Sequence, residues 1–375
     1  MNPFRYGALA LDEAFTNRET EIRELSRDIL NGQDVVVLAP RRYGKTSLIW
    51  RVTQEVARKR VLVAQVNLMT TPTKGRLAEK LADTIHEDVA SALFRARERL
   101  RIFADLRITP IVTIDPDTGT PSFSFAAGSA PQDVDATIER LLELPGQLAV
   151  ERKRKVALVF DEFQEVVDID PDLPKLMRSV FQEQPEVAHV YLGSKRHMME
   201  RIFNDENEPF WRSARQMELG VIDPPHFESY VTTSFERTGK RIGIETVRAV
   251  LTTTGGHPYA TQELCYFLWE ETRPGRKAGE AELEKALEGV LRAEHAHFEL
   301  IWDQSSTAQR VVLQALAFEP GRPLSGDYRR RHKLPGPSTM QRALQALTRA
   351  ELVSRSNGEH RIAEPFLADW LRRVT

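Results

Sequence analysis

A short apolar run, Asp34-Val35-Val36-Val37-Leu38-Ala39, leads through Pro40 into Arg41-Arg42-Tyr43-Gly44-Lys45-Thr46-Ser47, and helix-forming sequence follows to Arg58. A continuous β-branched run of that length reads as a strand buried on both faces. Strand, Gly-Lys-Thr turn and helix together are the pattern of a loop that cradles phosphate. Its backbone N–H groups face inward and the helix N-terminus adds a favourable dipole. Gly44 supplies a backbone conformation that other residues resist. Lys45 brings a mobile positive charge to β- and γ-phosphates, and the Thr46 hydroxyl is a ligand for Mg²⁺. The first glycine of the usual pattern is replaced by Ala39. The expected nucleotide contacts are therefore Pro40, Arg41, Arg42, Tyr43, Gly44, Lys45, Thr46 and Ser47.

A second strand completes the expected site. Val156 to Phe160 is apolar and ends in Asp161-Glu162. Asp161 is expected to hold the Mg²⁺ shell, and Glu162 to orient and polarise the attacking water. The next strand, Val187 to Leu192, ends in Gly193-Ser194, which makes Ser194 a candidate to sense the γ-phosphate or place that water. Arg212 and Arg215, before and at the start of a fifth strand (Arg215 to Leu219), are the candidates to meet transition-state charge, in cis or from a neighbouring subunit.

Strands alternating with helices up to Leu219 predict a three-layer α/β domain with a parallel sheet. Phe15 to Leu30 reads as a helix with Thr16 as cap and Glu19 reaching back. Leu77 to Phe103 reads as one long helix, and Ile111 to Phe125 as a hairpin turning at residues 115–119, interrupting the pattern. From Pro224 to Trp302 only helical signals remain. From Ser305 the order is helix, helix, turn, helix and hairpin with Asn357-Gly358 at its tip, a winged-helix pattern. Three domains are expected: 1–221 (with an insert near 107–131), 222–303 and 304–375.

Net charge is −2, so no global bias towards nucleic acid or membrane exists and any such preference must be local. One locally basic surface stands out in the winged helix: Arg329, Arg330, Arg331 and Lys333, with Arg342 and Arg349 on the next helix beside Thr339, Gln341 and Gln345. Cys265 stands alone, which excludes an internal disulfide and a multi-cysteine zinc site. Residues 1–10 lack a basic-then-apolar leader, and no stretch approaches the roughly 18 apolar residues a membrane span needs. A cytoplasmic protein without membrane contact is expected.

Together these residues make the chain resemble the archaeal-type ATPase family, within the AAA+/STAND branch of P-loop NTPases and related to origin-recognition-like ATPases. The resemblance rests on Phe15-Thr16-Asn17-Arg18-Glu19, on the phosphate loop and on Phe160-Asp161-Glu162-Phe163-Gln164. It rests also on Gly255-Gly256-His257-Pro258 and on Glu364-Pro365-Phe366-Leu367-Ala368-Asp369-Trp370. It implies that the strand ending at Ser194 lies between the two site strands, that Phe15, Asn17 and Arg18 line the adenine side, and that His257 and Pro258 of a helical lid lie near base and ribose. The implied ligands are ATP or ADP with Mg²⁺. Two roles follow from such a resemblance: a nucleotide-controlled switch that engages a protein partner, or a DNA-dependent ATPase that binds duplex through its winged helix. Either is compatible with a homo-oligomer.

Overall fold

The structure is a computed structural model that describes residues 1–7, 15–93, 99–118, 120–126 and 128–374. The chain divides into two compact units: Arg18–Arg41 with Leu48–Leu219, and Met1–Asn17 with Arg42–Ser47 and Gly220–Thr375.

The first unit contains α1 (Glu19–Leu30), β1 (Val35–Leu38), most of α2 (Lys45–Arg58), β2 (Leu62–Asn67), α3 (Lys74–Thr84), β3 (Ile111–Ile114), β4 (Pro121–Ser124), α4 (Pro131–Arg152), β5 (Val156–Asp161), α5 (Leu173–Phe181), β6 (Val187–Gly193), α6 (Arg196–Asn204) and β7 (Arg215–Glu218). Five strands form one parallel sheet in the order β2-β5-β6-β1-β7. Every residue of β1, β5 and β6 is buried, as continuous apolar runs require when helices cover both faces. β2, at an edge, alternates buried and half-buried positions instead. Leu77 and Leu81 of α3 and Ile138, Leu141 and Leu142 of α4 join Phe160, Phe163 and Tyr191 in the core of this unit. The hairpin β3–β4 is antiparallel, as expected, and is pinned at Phe123. That ring is buried against Phe103 and His86, and the Phe123 backbone N–H donates to the Asp83 carboxylate at 2.8 Å.

Two local expectations are corrected in this unit. Thr16 does not cap α1, which begins at Glu19, because Asn17 and Arg18 both lie in the left-handed region (φ 61 and 78). No right-handed helix can run through such a pair. The Arg18 carbonyl accepts the Ile22 N–H at 2.8 Å, and its buried side chain pairs with Glu21 at 2.8 Å. Nor is Leu77 to Phe103 one helix: α3 ends at Thr84, a wider turn spans Ile85–Ala90 with the Ser91 N–H bonded to the His86 carbonyl, and a single tight turn covers Arg99–Phe103. Residues 94–98 of that stretch lie outside the described residues, as does Gly119 of the hairpin turn.

The second unit is mainly helical: α7 (Pro224–Arg237), β8 (Arg241–Ile242), α8 (Ile244–Thr254), α9 (Pro258–Glu271), β9 (Lys277–Ala278), α10 (Glu280–Ala293), α11 (His295–Gln304), α12 (Thr307–Phe318), α13 (Gly326–Arg331), α14 (Pro337–Arg349), β10 (Val353–Ser356), β11 (Glu359–Ile362) and α15 (Pro365–Val374). The stretch expected to hold helices alone also carries one short parallel pairing, β8 with β9. One apolar core runs from Phe4 through Phe227, Leu264 and Phe298 to Leu344, Phe366 and Trp370. Phe4 belongs to the chain's first residues, yet its ring sits 5.5 Å from Phe235 and 5.9 Å from Tyr230. Asn357 and Gly358, both at positive φ, turn β10 into β11, and Gly321 forms an isolated antiparallel bridge with His360 of β11. Among the described residues, no helix is long and apolar enough to cross a membrane.

Candidate nucleotide site

Parallel strands present their ligands at their C-terminal ends. In the sheet the register aligns three such ends: Leu38 lies beside Gly193, and Phe160 beside Tyr191. β6 therefore runs between β1 and β5, as the resemblance implied. Asp161 closes β5 and is buried, with its Oδ1 accepting the Glu162 N–H at 3.0 Å. Glu162 takes a left-handed backbone (φ 52), which turns the chain out of the strand and brings its carboxylate across to the end of β6. There Ser194 Oγ donates to Glu162 Oε2 at 2.6 Å, and the Ser194 N–H points to the same oxygen at 3.3 Å. Two residues 32 apart in sequence are joined because their strands are neighbours in the sheet.

The phosphate loop leaves β1 after Leu38 and enters α2 at Lys45. Its positive-φ residues are Arg42 (64) and Gly44 (85). Lys45 and Ser47 are buried in the first turn of α2, whereas Arg41, Arg42 and Thr46 are exposed and Pro40 and Tyr43 are half-buried. Within the second unit the loop meets the start of α9. The Arg42 guanidinium stacks over the Tyr259 ring at 4.4 Å, and its Nη1 lies 3.7 Å from Glu364 Oε1. Tyr43 and His257 meet edge-to-face at 4.6 Å.

Gly255 and Gly256, both at positive φ, end α8, and His257 then caps α9 with Pro258 in its first turn. His257 Nδ1 accepts the Ala260 N–H at 3.3 Å, so that nitrogen carries no proton. Burial first, and then the charge of Arg42, push the imidazole down to about 4. One turn further along α9 the Glu263 side chain is fully buried, and burial followed by Glu294 pushes its carboxyl up to about 8. Phe15 and Asn17 group with this unit and are half-buried, while Arg18 groups with the sheet.

The candidate arginines separate. Arg215 opens β7 beside Val35, at the opposite end of the sheet from Leu38 and Gly193, and is held there by Asp28 at 2.5 Å and Glu24 at 3.2 Å. This removes it as a group acting on phosphate in cis. The signal was present in the sequence, because a residue that starts a parallel strand lies at the edge away from the ligand. Arg212 is exposed at positive φ (48), with its guanidinium 5.3 Å from the Trp211 ring.

In the winged helix, α14 buries Met340, Ala343, Leu344 and Leu347 and exposes Gln341, Arg342, Gln345 and Arg349, with Thr339 half-buried. Arg330 is paired with Asp327, and Arg331 and His332 with Glu319, which lowers the net charge that the expected basic run presents. Two exposed arginines that the sequence reading passed over, Arg355 and Arg361, sit on the wing. Their signal was available in the β-period of the hairpin.

The strand order, the Gly-Lys-Thr turn after β1 and the acidic end of β5 two places away define a P-loop ATPase fold that carries a C-terminal winged helix. The chain belongs to the family described as "ATPase domain predominantly from Archaea", whose model matches residues 15–264, and residues 296–373 match "Probable winged helix domain". Among solved structures it is similar to the Walker-type ATPase of Pyrococcus abyssi, at 17% identity over 97% of each chain with a TM-score of 0.66. It is also similar to the ORC2 protein of Aeropyrum pernix in its ADPNP–ADP complexes, at 16% identity over 99% of this chain and 97% of that one, with a TM-score of 0.59. No curated protein matches the sequence significantly.

Proposed function

We propose that the protein is a Mg²⁺-dependent ATPase that uses its nucleotide state to switch how its helical and winged-helix parts engage a partner. The observation that carries the reading is the Glu162 carboxylate, turned off the end of a central strand and held by Ser194 of the next one. In this scheme Glu162 takes a proton from water as the water oxygen bonds to the γ-phosphorus. The bond from that phosphorus to the bridging oxygen breaks, and its electron pair leaves on ADP. Lys45 and the loop N–H groups stabilise charge on the phosphate oxygens.

Thr46 and Asp161 would hold Mg²⁺. Both offer the hard oxygen donors this ion prefers, and among the described residues no cluster of three acidic, His or Cys side chains forms an all-protein cage. That matches an ion carried mostly by water and nucleotide phosphates, where it would neutralise charge on the transferred group.

The proposed division is a nucleotide-binding core (1–221), a helical lid (222–303) and a winged helix (304–375). The switch reading draws support from the contacts of the phosphate loop with Tyr259, His257 and Glu364, which tie the loop both to α9 and to the start of α15. Phe15, Asn17, Arg18, His257 and Pro258 are assigned to the base and ribose. Arg212, exposed, is assigned to act in trans in a homo-oligomer. ATP turnover with and without Mg²⁺ tests the reading, alongside nucleotide binding by Lys45→Ala. Metal-independent turnover, or full affinity in the variant, would overturn it.

A second reading, duplex DNA binding, is favoured by one observation: α14 and the wing together expose Arg342, Arg349, Arg355 and Arg361. Phosphate contacts of that kind position a duplex without reading its sequence.

A further inference from the structure

The turn that follows β5 returns a second side chain to the site. With Glu162 left-handed, Phe163–Glu165 form one tight turn, and this turn folds the Gln164 side chain back among the strand ends, where it is fully buried. Its Nε2 lies 2.6 Å from Glu162 Oε2 and 3.2 Å from Glu165 Oε1. Both neighbours are carboxylates and can only accept, so the amide nitrogen must be the atom that faces them. Glu165 Oε1 also takes Lys195 Nζ at 2.8 Å, and Lys195 follows Ser194 in the chain. The contacts close into a ring: Glu162, Gln164, Glu165, Lys195, and back through Ser194 to Glu162.

Room for Gln164 depends on the end of β6. A Cβ on Gly193 would lie 2.8 Å from Gln164 Oε1 and 2.3 Å from Met199 Cγ, so any side chain there would displace the amide or Met199. A buried amide is costly unless its donors are used, and here both point at acids. A leucine of similar size would fill the space without donating.

We propose that Gln164 is a positioning residue for ATP hydrolysis: with Ser194 it fixes Glu162 through a single oxygen, Oε2, in the orientation that receives the proton of the attacking water. The proposal rests on the reading of Glu162 as that proton acceptor. A carboxylate tethered by two residues from two different elements keeps one orientation, and a general base gains from staying in register with its water.

The test uses the full chain and four variants: Gln164→Leu, Glu162→Gln, the double variant, and Lys195→Met, which opens the far side of the ring at a half-exposed position. Single-turnover hydrolysis, dissociation constants for ATP and melting temperatures are measured on each. Gln164→Leu should lower the hydrolysis rate by about tenfold or more while ATP affinity stays within about twofold. In the Glu162→Gln background the same change should have no further effect, since nothing remains for it to orient. Lys195→Met should lower the rate by a smaller factor and keep the melting temperature. If Gln164→Leu unfolds the chain, the Lys195→Met rate decides: a wild-type rate there overturns the proposal. It is overturned also if Gln164→Leu hydrolyses at the wild-type rate, or loses as much in the Glu162→Gln background as in the wild type. If Glu162→Gln itself turns over normally, the reading beneath the proposal falls as well, and the two failures are told apart by that variant alone.

Discussion

Ser194 Oγ sits 2.6 Å from Glu162 Oε2, a hydrogen bond between the ends of two adjacent parallel strands. It makes the residue at the tip of β6 a direct partner of the acid at the tip of β5. Removing the hydroxyl should loosen the carboxylate without touching the phosphate loop. Ser194→Ala is therefore expected to cut hydrolysis by about ten- to a hundredfold, with ATP affinity preserved. Parallel rate and binding measurements check this, and an equal loss in both would place Ser194 on the nucleotide instead.

The two glycines before α9 should differ sharply. At Gly256 φ is 72 and a Cβ would lie 2.8 Å from the Ile222 carbonyl oxygen. At Gly255 φ is 59, and nothing lies within 4 Å. Gly256→Ala should cost about 2–4 kcal/mol, strain plus collision, and Gly255→Ala about 1 kcal/mol from strain alone. Denaturant titration of both variants measures the difference.

Stability should respond to pH through two buried groups of opposite sign. The folded chain holds His257 neutral down to about 4, whereas an exposed imidazole titrates at 6.5. Between those values only the unfolded chain gains the proton, so this contribution is lost on acidification, by up to about 3 kcal/mol. Glu263, pushed up to about 8 from 4.5, keeps its proton when folded, so its contribution is full below 4.5 and lost as the pH rises through 8. The two oppose each other up to pH 6.5, and above it Glu263 acts alone. Melting temperature should fall from pH 6.5 to 8, and Glu263→Gln should flatten that fall. A rise over the same interval would contradict the assignment.

Duplex binding has a salt signature. Neutralising Arg329, Arg330 and Arg331 together should weaken duplex affinity and flatten its salt dependence, by about 0.9 in logarithmic slope for each phosphate that is no longer neutralised. Arg330 and Arg331 already have acidic partners, so a larger effect is expected from Arg355 and Arg361 on the wing. Absence of any duplex affinity at low salt would leave the switch alone.

The parts of the fold legible in the sequence are those where one local rule decides. β1, β5 and β6 read correctly because strands covered on both faces must be continuously apolar. His257-Pro258 after two glycines marked a helix start that the structure keeps. The rest turned on single backbone angles. Positive φ at Asn17 and Arg18 delayed α1 by one turn, and the same angle at Glu162 set where Gln164 points. Nothing in residue type forces a glutamate into that region, so the sequence alone does not direct Gln164 towards Glu162. The contact of Arg42 with Glu364 spans 322 positions and follows from packing in the helical unit, which periodicity does not encode.

The most direct measurement is ATP hydrolysis by Glu162→Gln beside its ATP affinity. The variant should bind ATP as the wild type does and hydrolyse it at least about a hundredfold more slowly, because the proton acceptor has been replaced by an amide that cannot take the proton. Hydrolysis at the wild-type rate, with binding intact, would contradict the assignment of Glu162 and with it the proposed mechanism.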